Sequence, residues 1–401
     1  MRLWRKNFVG LDIDASAVRM VQLRRDNDGY AVVKAGVTDI APWGNDPQLR
    51  QIHTVRAIVA GLARCGIKSK LAVCGLRGPE VVVRGFEFPA LPPEEIAGAV
   101  EIEVSQICPF LAEESTLDYQ VTSSDDKRTM GFWVAATNSL IENTRQLVSE
   151  AGLHCAMVDV AGLALLNILD FGLQSGGRKS APGFPDGAES PFDLTGDGLG
   201  NGSSGDGTSL LSTSLEGATQ PPWNRPAVLN LGDDCTTIAI ADPAGRPFVR
   251  DIGSGAFAES RRSLAAARSG LHGSFPAEDG WTARGDYRSA TSDSLVDDVT
   301  TTLRYYAAQH GAVRVDRLLV CGAGAAEESI ELLRTRLNIE VEPWNPLLDG
   351  GFRPPVGAEA DTREEAGATK MDDEHSQPAL DKPQRYDPSL AVAAGLAMRS
   401  V

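Results

Sequence analysis

Two stretches decide how this chain folds. The first is Phe8-Val-Gly-Leu-Asp-Ile-Asp14 running into Val18-Arg-Met-Val-Gln-Leu23; the second is Ala227-Val-Leu-Asn-Leu231 running into Thr236-Thr-Ile-Ala-Ile-Ala241. Each is a short apolar run, a turn of small and acidic residues, and a second apolar run, the pattern of a β-hairpin. Each is followed by a third strand-like run, Tyr30–Val37 after Asp26-Asn-Asp-Gly29 and Arg246–Ile252 after Asp242-Pro-Ala-Gly245. Leu11-Asp-Ile-Asp14 and Leu229-Asn-Leu-Gly232 occupy equivalent places, so the chain reads as an internal duplication with two α/β lobes.

Working outward from the first hairpin, Leu49, Ile52, Val55, Val59 and Leu62 recur at helical spacing, and a strand follows at Leu71–Gly75. Val81–Glu87 reads as another strand. After Pro92-Pro93, Glu94 opens a helix with Ile96, Val100, Val104 and Ile107 on one stripe, stopped by Pro109. Strands at Tyr119–Ser123 and Met130–Ala136, a helix from Ser139 to Ala151 and a strand at His154–Val160 complete the first half. In the second, a helix is expected at Asp293–Ala308. A strand at Arg317–Cys321 then enters Gly322-Ala-Gly324 and a helix carrying Ile330, Leu333 and Leu337. Two stretches lack apolar periodicity: the Gly/Ser/Pro-rich residues 173–225 and the acidic, Pro-rich 351–386. Both are expected to be unstructured insertions. The expected division is therefore 1–80 with 125–172 as the first lobe and 81–124 as a small subdomain inserted in it. Residues 173–225 form a linker, and 226–401 the second lobe, interrupted at 351–386.

Composition narrows the function. Thirty-eight Lys+Arg against 54 Asp+Glu leave 401 residues with a net charge of −16, the opposite of a nucleic-acid footprint. No apolar run reaches the ~18 residues of a membrane span; Ala161–Leu169 and Ala391–Met398 are too short. The basic start Met1-Arg-Leu-Trp-Arg-Lys-Asn7 precedes an apolar run broken by Asp12 and Asp14, so a signal peptide is not expected, and the protein is expected in the cytoplasm. The six cysteines are scattered, with no Cys-x-x-Cys pair, and neither a zinc site nor a disulfide framework is expected.

Three turns carry the candidate chemistry: Asp12–Arg19, Asn230–Thr237 and Gly322–Ala325. Each follows a strand, and small residues there let backbone N–H groups approach an anion. Their order, two hairpins in duplicated lobes and then a strand–glycine–helix turn, resembles the phosphate and adenosine elements of the actin/Hsp70/sugar-kinase superfamily. Within it the chain resembles the PilM family of type IV pilus assembly proteins. The resemblance is carried by the opening hairpin, by Val81–Pro89 with Glu94-Glu95, Glu101-Ile-Glu-Val and Ile107-Cys-Pro-Phe110, by Ala151-Gly-Leu153 with Val158-Asp-Val160, and by Ile252-Gly-Ser-Gly255, Leu303-Arg-Tyr-Tyr306 and Ala394-Gly-Leu-Ala397, in that order.

The resemblance implies a two-lobed, actin-like (ribonuclease H-like) α/β fold with a small inserted subdomain in the first lobe. It implies ATP and Mg²⁺ in the cleft, lined by Asp12, Asp14, Ser16, Arg19, Asn230, Gly232, Asp233, Thr236, Thr237, Gly322 and Gly324, with Glu331 towards the adenine. Departures bear on turnover. Asp14 stands where the family usually has Gly, Asn230 where the second turn usually opens with Asp, and no Ala-Glu-x-x-Lys segment is found. No catalytic residue and no resident metal site is assigned; turnover, if any, is expected to be very slow. The implied role is an adaptor of the pilus assembly platform, associated with the inner membrane through a PilN-like bitopic partner, with the pilus motor ATPases as further candidate partners. The partner's cytoplasmic tail is expected in a groove of the first lobe formed with Val82, Phe86, Phe88, Glu101 and Glu103. Alternatives are a secretion-system relative without nucleotide binding and an active ATPase or small-molecule kinase. A membrane tether of the FtsA type is disfavoured because no amphipathic extension follows Met398-Arg-Ser-Val401.

Overall fold

The computed structural model describes residues 8–26, 29–44, 46–174, 226–233, 235–241, 245–252, 282–310, 314–349, 352 and 387–399, with side chains of the helix after 282 described from 294 onward. Both stretches expected to be unstructured lie almost wholly outside these residues.

Three sheets organise the chain. In the first, β1 (Phe8–Ile13), β2 (Ala17–Asp26) and β3 (Gly29–Asp39) form an antiparallel meander, and β4 (Leu71–Leu76) and β8 (His154–Val160) add in parallel, in the order β3-β2-β1-β4-β8. The second repeats this arrangement: β9 (Pro226–Leu231), β10 (Thr236–Ile240) and β11 (Phe248–Ile252) form the meander. β12 (Arg317–Cys321) and β13 (Glu340–Pro343) lie parallel beyond β9, giving β11-β10-β9-β12-β13. The duplication read from the hairpins is thus a duplication of whole sheets, in two α/β lobes. Central strands such as β1 and β9 are apolar on both faces because helices cover both.

Helix α1 (Pro47–Cys65) covers the outer face of the first sheet with α3 (Asn138–Glu150). Its ends are set locally: the Asp46 carboxylate accepts the N–H groups of Gln48 and Leu49, Pro47 takes the first turn, and Gly66 closes the other end at φ 64°. The second sheet's outer face is covered by α5 (Thr282–Gln309) and α6 (Glu327–Arg336). Between the two sheets lie α4 (Ala161–Gln174) and, after a short α7 (Pro346–Asp349), α8 (Ala391–Met398). Every residue of α8 is buried, and it packs on β1, β2, β4 and α4. Sequence position puts residues 391–398 with the second lobe, whereas their contacts are with the first sheet. The Arg399 guanidinium fixes this return by donating to Asp159 at the end of β8 (2.6 and 3.2 Å).

The third sheet, β5-β7-β6, is built by β5 (Val81–Pro89), β6 (Ser115–Ser124) and β7 (Arg128–Thr137), covered by α2 (Pro93–Ile107). The expected subdomain 81–124 is too short: β7 is its central strand, pairing antiparallel with both neighbours. Phe86, Ile96, Val100, Val104 and Trp133 form its core.

Candidate functional site

The tips of the two meanders meet. Asp12 and Arg19 are paired across the β1–β2 hairpin, and Asp14 lies in its turn. Opposite them the turn between β9 and β10 presents Gly232 and Asp233. A buried ionic cluster joins them. Arg19 Nη1 donates to Asp14 Oδ2 at 3.0 Å and its Nη2 to Asp233 Oδ2 at 3.1 Å; the Ser16 hydroxyl also donates to Asp233. The Asp14 carboxylate additionally accepts two backbone N–H groups, Ala15 at 2.8 Å from its own hairpin and Asp233 at 3.1 Å from the other. Arg77, just past β4, pairs with Asp12 and lies 3.5 Å from Asp14. All five charged side chains are within a tenth of full burial, where their mutual attraction is weakly screened.

The remaining expected residues of the cleft divide. Thr237 donates to Asp251 on β11 (2.6 Å), and the other Asp251 oxygen accepts the Gly78 N–H (2.6 Å), which ties the first lobe to the second sheet beside the cluster. Thr236 is buried next to it. Asn230 lies at the C-terminal end of β9 beside Cys321 of β12. Gly322 follows at φ +97°, where a Cβ would stand 2.6 Å from both the Asn230 carboxamide oxygen and the Leu231 carbonyl; only glycine fits so close a turn. The Gly324 N–H donates to that same carbonyl (2.8 Å). Glu331 is not brought in: it sits on the exposed side of α6, paired with Arg334 at 2.8 Å. Asp234, the next acid of the second turn, lies outside the described residues. Arg77 and Asp251 escaped sequence reading. Their only signal was an ionisable residue at the end of an apolar strand, which is common on surfaces.

For ATP and Mg²⁺, the test is whether donors at the tips can receive phosphate oxygens. The Ala15 and Asp233 N–H groups and the Arg19 fork all point at carboxylates of the chain itself. Three carboxylates face two guanidinium groups, an acidic excess. As these side chains stand, a triphosphate does not fit between the tips; its oxygens need the place that the Asp14 carboxylate takes. Among the described residues, no group of three or more His, Cys, Asp or Glu is arranged to hold a metal ion.

A second feature lies beside this cluster. A cavity of about 850 Å³ opens between β5, the end of α2, β11 and α5. β5 and β11 are both edge strands of their sheets. The walls include Val82, Val83, Glu103 and Ile107 on one side and Phe248, Arg250 and Tyr305 on the other. Of the residues expected to take a partner, Val82 and Glu103 line this cavity, Glu103 also accepting the Trp133 indole N–H at 3.2 Å. Phe86 does not: it is 2% exposed in the core of the third sheet with Phe88 stacked on it, 4.8 Å between centroids. A strand of a half-covered sheet alternates its faces, so Phe86 and Val83 point opposite ways. Glu101 is exposed on α2. The cavity adjoins the second sheet, not only the first lobe and its inserted sheet.

Comparison with known proteins bears on the fold. Residues 10–175 match the family model described as type IV pilus assembly protein PilM. The chain is similar to a solved structure of a PilM–PilN type IV pilus biogenesis complex, at 18% identity over 99% of each chain and a TM-score of 0.66. Weaker similarity is found to the cytoplasmic domain of EpsL, an inner-membrane component of the type II secretion system of Vibrio cholerae (9% identity, 86% and 92% coverage, TM-score 0.38). It is also found to the ethanolamine utilization protein EutJ of Carboxydothermus hydrogenoformans (12% identity, 88% and 89% coverage, TM-score 0.40). The chain is thus similar to PilM over residues 10–175, and it shares the fold of the PilM–PilN structure's matching chain along nearly its whole length.

Proposed function

We propose that the protein is an adaptor of type IV pilus assembly that captures the extended cytoplasmic tail of a PilN-like inner-membrane protein in the cavity between β5 and β11. The observation that carries this reading is the cavity itself, about 850 Å³ between two edge strands. An edge strand offers a row of backbone N–H and C=O groups to a peptide that adds as a further strand, while wall pockets select its side chains. Val82, Val83 and Ile107 supply apolar wall, and Glu103 with the exposed Glu101 supplies an acidic margin for basic residues near a membrane. The inserted sheet with its helix also exposes large apolar side chains, Ile102 at 62% and Leu111 at 59%, as a docking element would. Among the described residues no helix is long and apolar enough to cross a membrane; in this reading the membrane is reached through the partner. The saturated cluster at the hairpin tips supports a scaffold rather than an ATPase.

Titration calorimetry with a synthetic N-terminal tail of the PilN-like protein tests the reading. Ile107→Asp should weaken binding by about tenfold or more while leaving the melting midpoint unchanged, because Ile107 lines the cavity at the end of α2 and is 39% exposed. Glu101→Lys should weaken it at low salt and much less at 0.5 M salt, where screening removes steering by an exposed charge. Phe86→Ala should instead cost about 3–5 kcal/mol of stability. Equal affinity of the tail for wild type and Ile107→Asp overturns the assignment.

A further inference from the structure

We propose that Asp14 is a tethered anion: its carboxylate fills the donor set where the two hairpins meet and so latches the lobes without a bound ligand. The geometry is specific. Oδ1 accepts the Ala15 N–H at 2.8 Å, and Oδ2 accepts the Asp233 N–H at 3.1 Å and Arg19 Nη1 at 3.0 Å. Two backbone N–H groups from opposite lobes and one guanidinium N–H converge on a single pair of oxygens, donors of the kind with which proteins hold a phosphate. Here the chain supplies the anion itself. The latch is reciprocal, since Arg19 Nη2 and the Ser16 hydroxyl on the first hairpin hold the carboxylate of Asp233 on the second. Arg77 braces the cluster from β4 through Asp12 and Asp14.

A phosphate-bearing ligand competes with Asp14 for the same donors. A side chain anchored three atoms from the backbone stands at an effective concentration that a free ligand must exceed. The cluster's acidic excess adds to the barrier. Asp14 therefore supplies from within the chain a contact between the lobes that would otherwise need a bound anion. This inference rests on the hairpin cluster alone and not on the partner cavity.

Hydrogen exchange and thermal melting of the full chain, with and without Mg-ATP, test it on wild type, Asp14→Asn and Asp14→Gly. Asp14→Asn keeps the shape and removes the charge; Asp14→Gly removes the group. Both variants should exchange the Ala15 and Asp233 amides about tenfold faster or more than wild type, the loss expected for hydrogen bonds to a charged acceptor. Mg-ATP should raise the melting midpoint of Asp14→Gly and leave that of wild type unmoved at the same concentration. If Asp14→Gly does not fold, Asp14→Asn carries both measurements. Unchanged protection in Asp14→Asn overturns the latch. An equal Mg-ATP shift in wild type and variant, including none in either, overturns the competition. Tail binding is measured separately, so a failed latch leaves the partner reading standing.

Discussion

Replacing Gly10 by alanine should damage this protein more than its size suggests. Gly10 lies in the middle of β1, where α8 crosses the strand backbone to backbone. A Cβ at Gly10 would stand 2.0 Å from the Ala393 carbonyl oxygen and 2.6 Å from the Ala397 nitrogen. Both obstacles are helix backbone, so no side chain can rotate away. To reach the roughly 3.5 Å at which such atoms attract, α8 must retreat by about 1.5 Å. The helix is buried throughout, with Val392 and Leu396 at 0% and Met398 at 3% exposure. Each such side chain contributes about 1.5–3 kcal/mol through burial. A gap of even 0.5–1 Å forfeits a quarter to a half of each dispersion contact. Across three side chains that amounts to about 3 kcal/mol, the upper end of ordinary overpacking and a large part of a typical stability of 5–15 kcal/mol. Gly98 is the control: it lies inside α2 with nothing within 4 Å of its Cβ position. Gly98→Ala should stabilise by about 0.5–1 kcal/mol through backbone entropy alone. Urea unfolding followed by far-ultraviolet circular dichroism separates the two. A Gly10→Ala midpoint within about 1 kcal/mol of wild type refutes the rigid backbone contact between α8 and β1.

Two further predictions follow from buried groups. Arg399→Ala should cost about 3 kcal/mol, because it strands the Asp159 carboxylate, 5% exposed, that the guanidinium holds at 2.6 Å; a double-mutant cycle with Asp159→Asn should show strong coupling, and simple additivity refutes the pairing. Burial alone would lower the Arg399 pKa, but the Asp159 charge and hydrogen bond raise it overall. Iodoacetamide near pH 8 should spare Cys321, whose thiol full burial pushes far up, and should label Cys155 before Cys74. The Cys74 thiol is raised by its hydrogen bond to Cys155, 3.7 Å away, and by burial, while the same bond lowers Cys155. Label found on Cys321 of the folded protein by peptide mass mapping contradicts the packing around β12.

The sequence alone determined the duplicated meanders. Alternation and turn chemistry are local, and the Leu11–Asp14 and Leu229–Gly232 turns share one pattern of apolar strand ending in a small or acidic tip. It also determined α2, through a four-residue apolar stripe bounded by Pro93 and Pro109, and the hairpin residues Asp12, Asp14, Arg19 and Asp233 that meet in the cluster. Helix α8 and α4 as far as Leu169 were illegible for a physical reason: each lies between two sheets, buried on every side there, and a helix stretch without a polar face has no period to read. For the same reason Ala161–Leu169 looked only like an apolar run too short to span a membrane. Tertiary structure alone decided that β7 is central to the third sheet, because register is set by partners distant in sequence. It decided that Phe86 belongs to a core and Val83 to a cavity wall, since strand alternation gives two faces without saying which is covered. Above all it decided what Asp14 does. A carboxylate in a turn reads from sequence as solvated or as repelling a phosphate; only the approach of the second hairpin, bringing the Asp233 N–H within 3.1 Å, gives it a partner across the lobes.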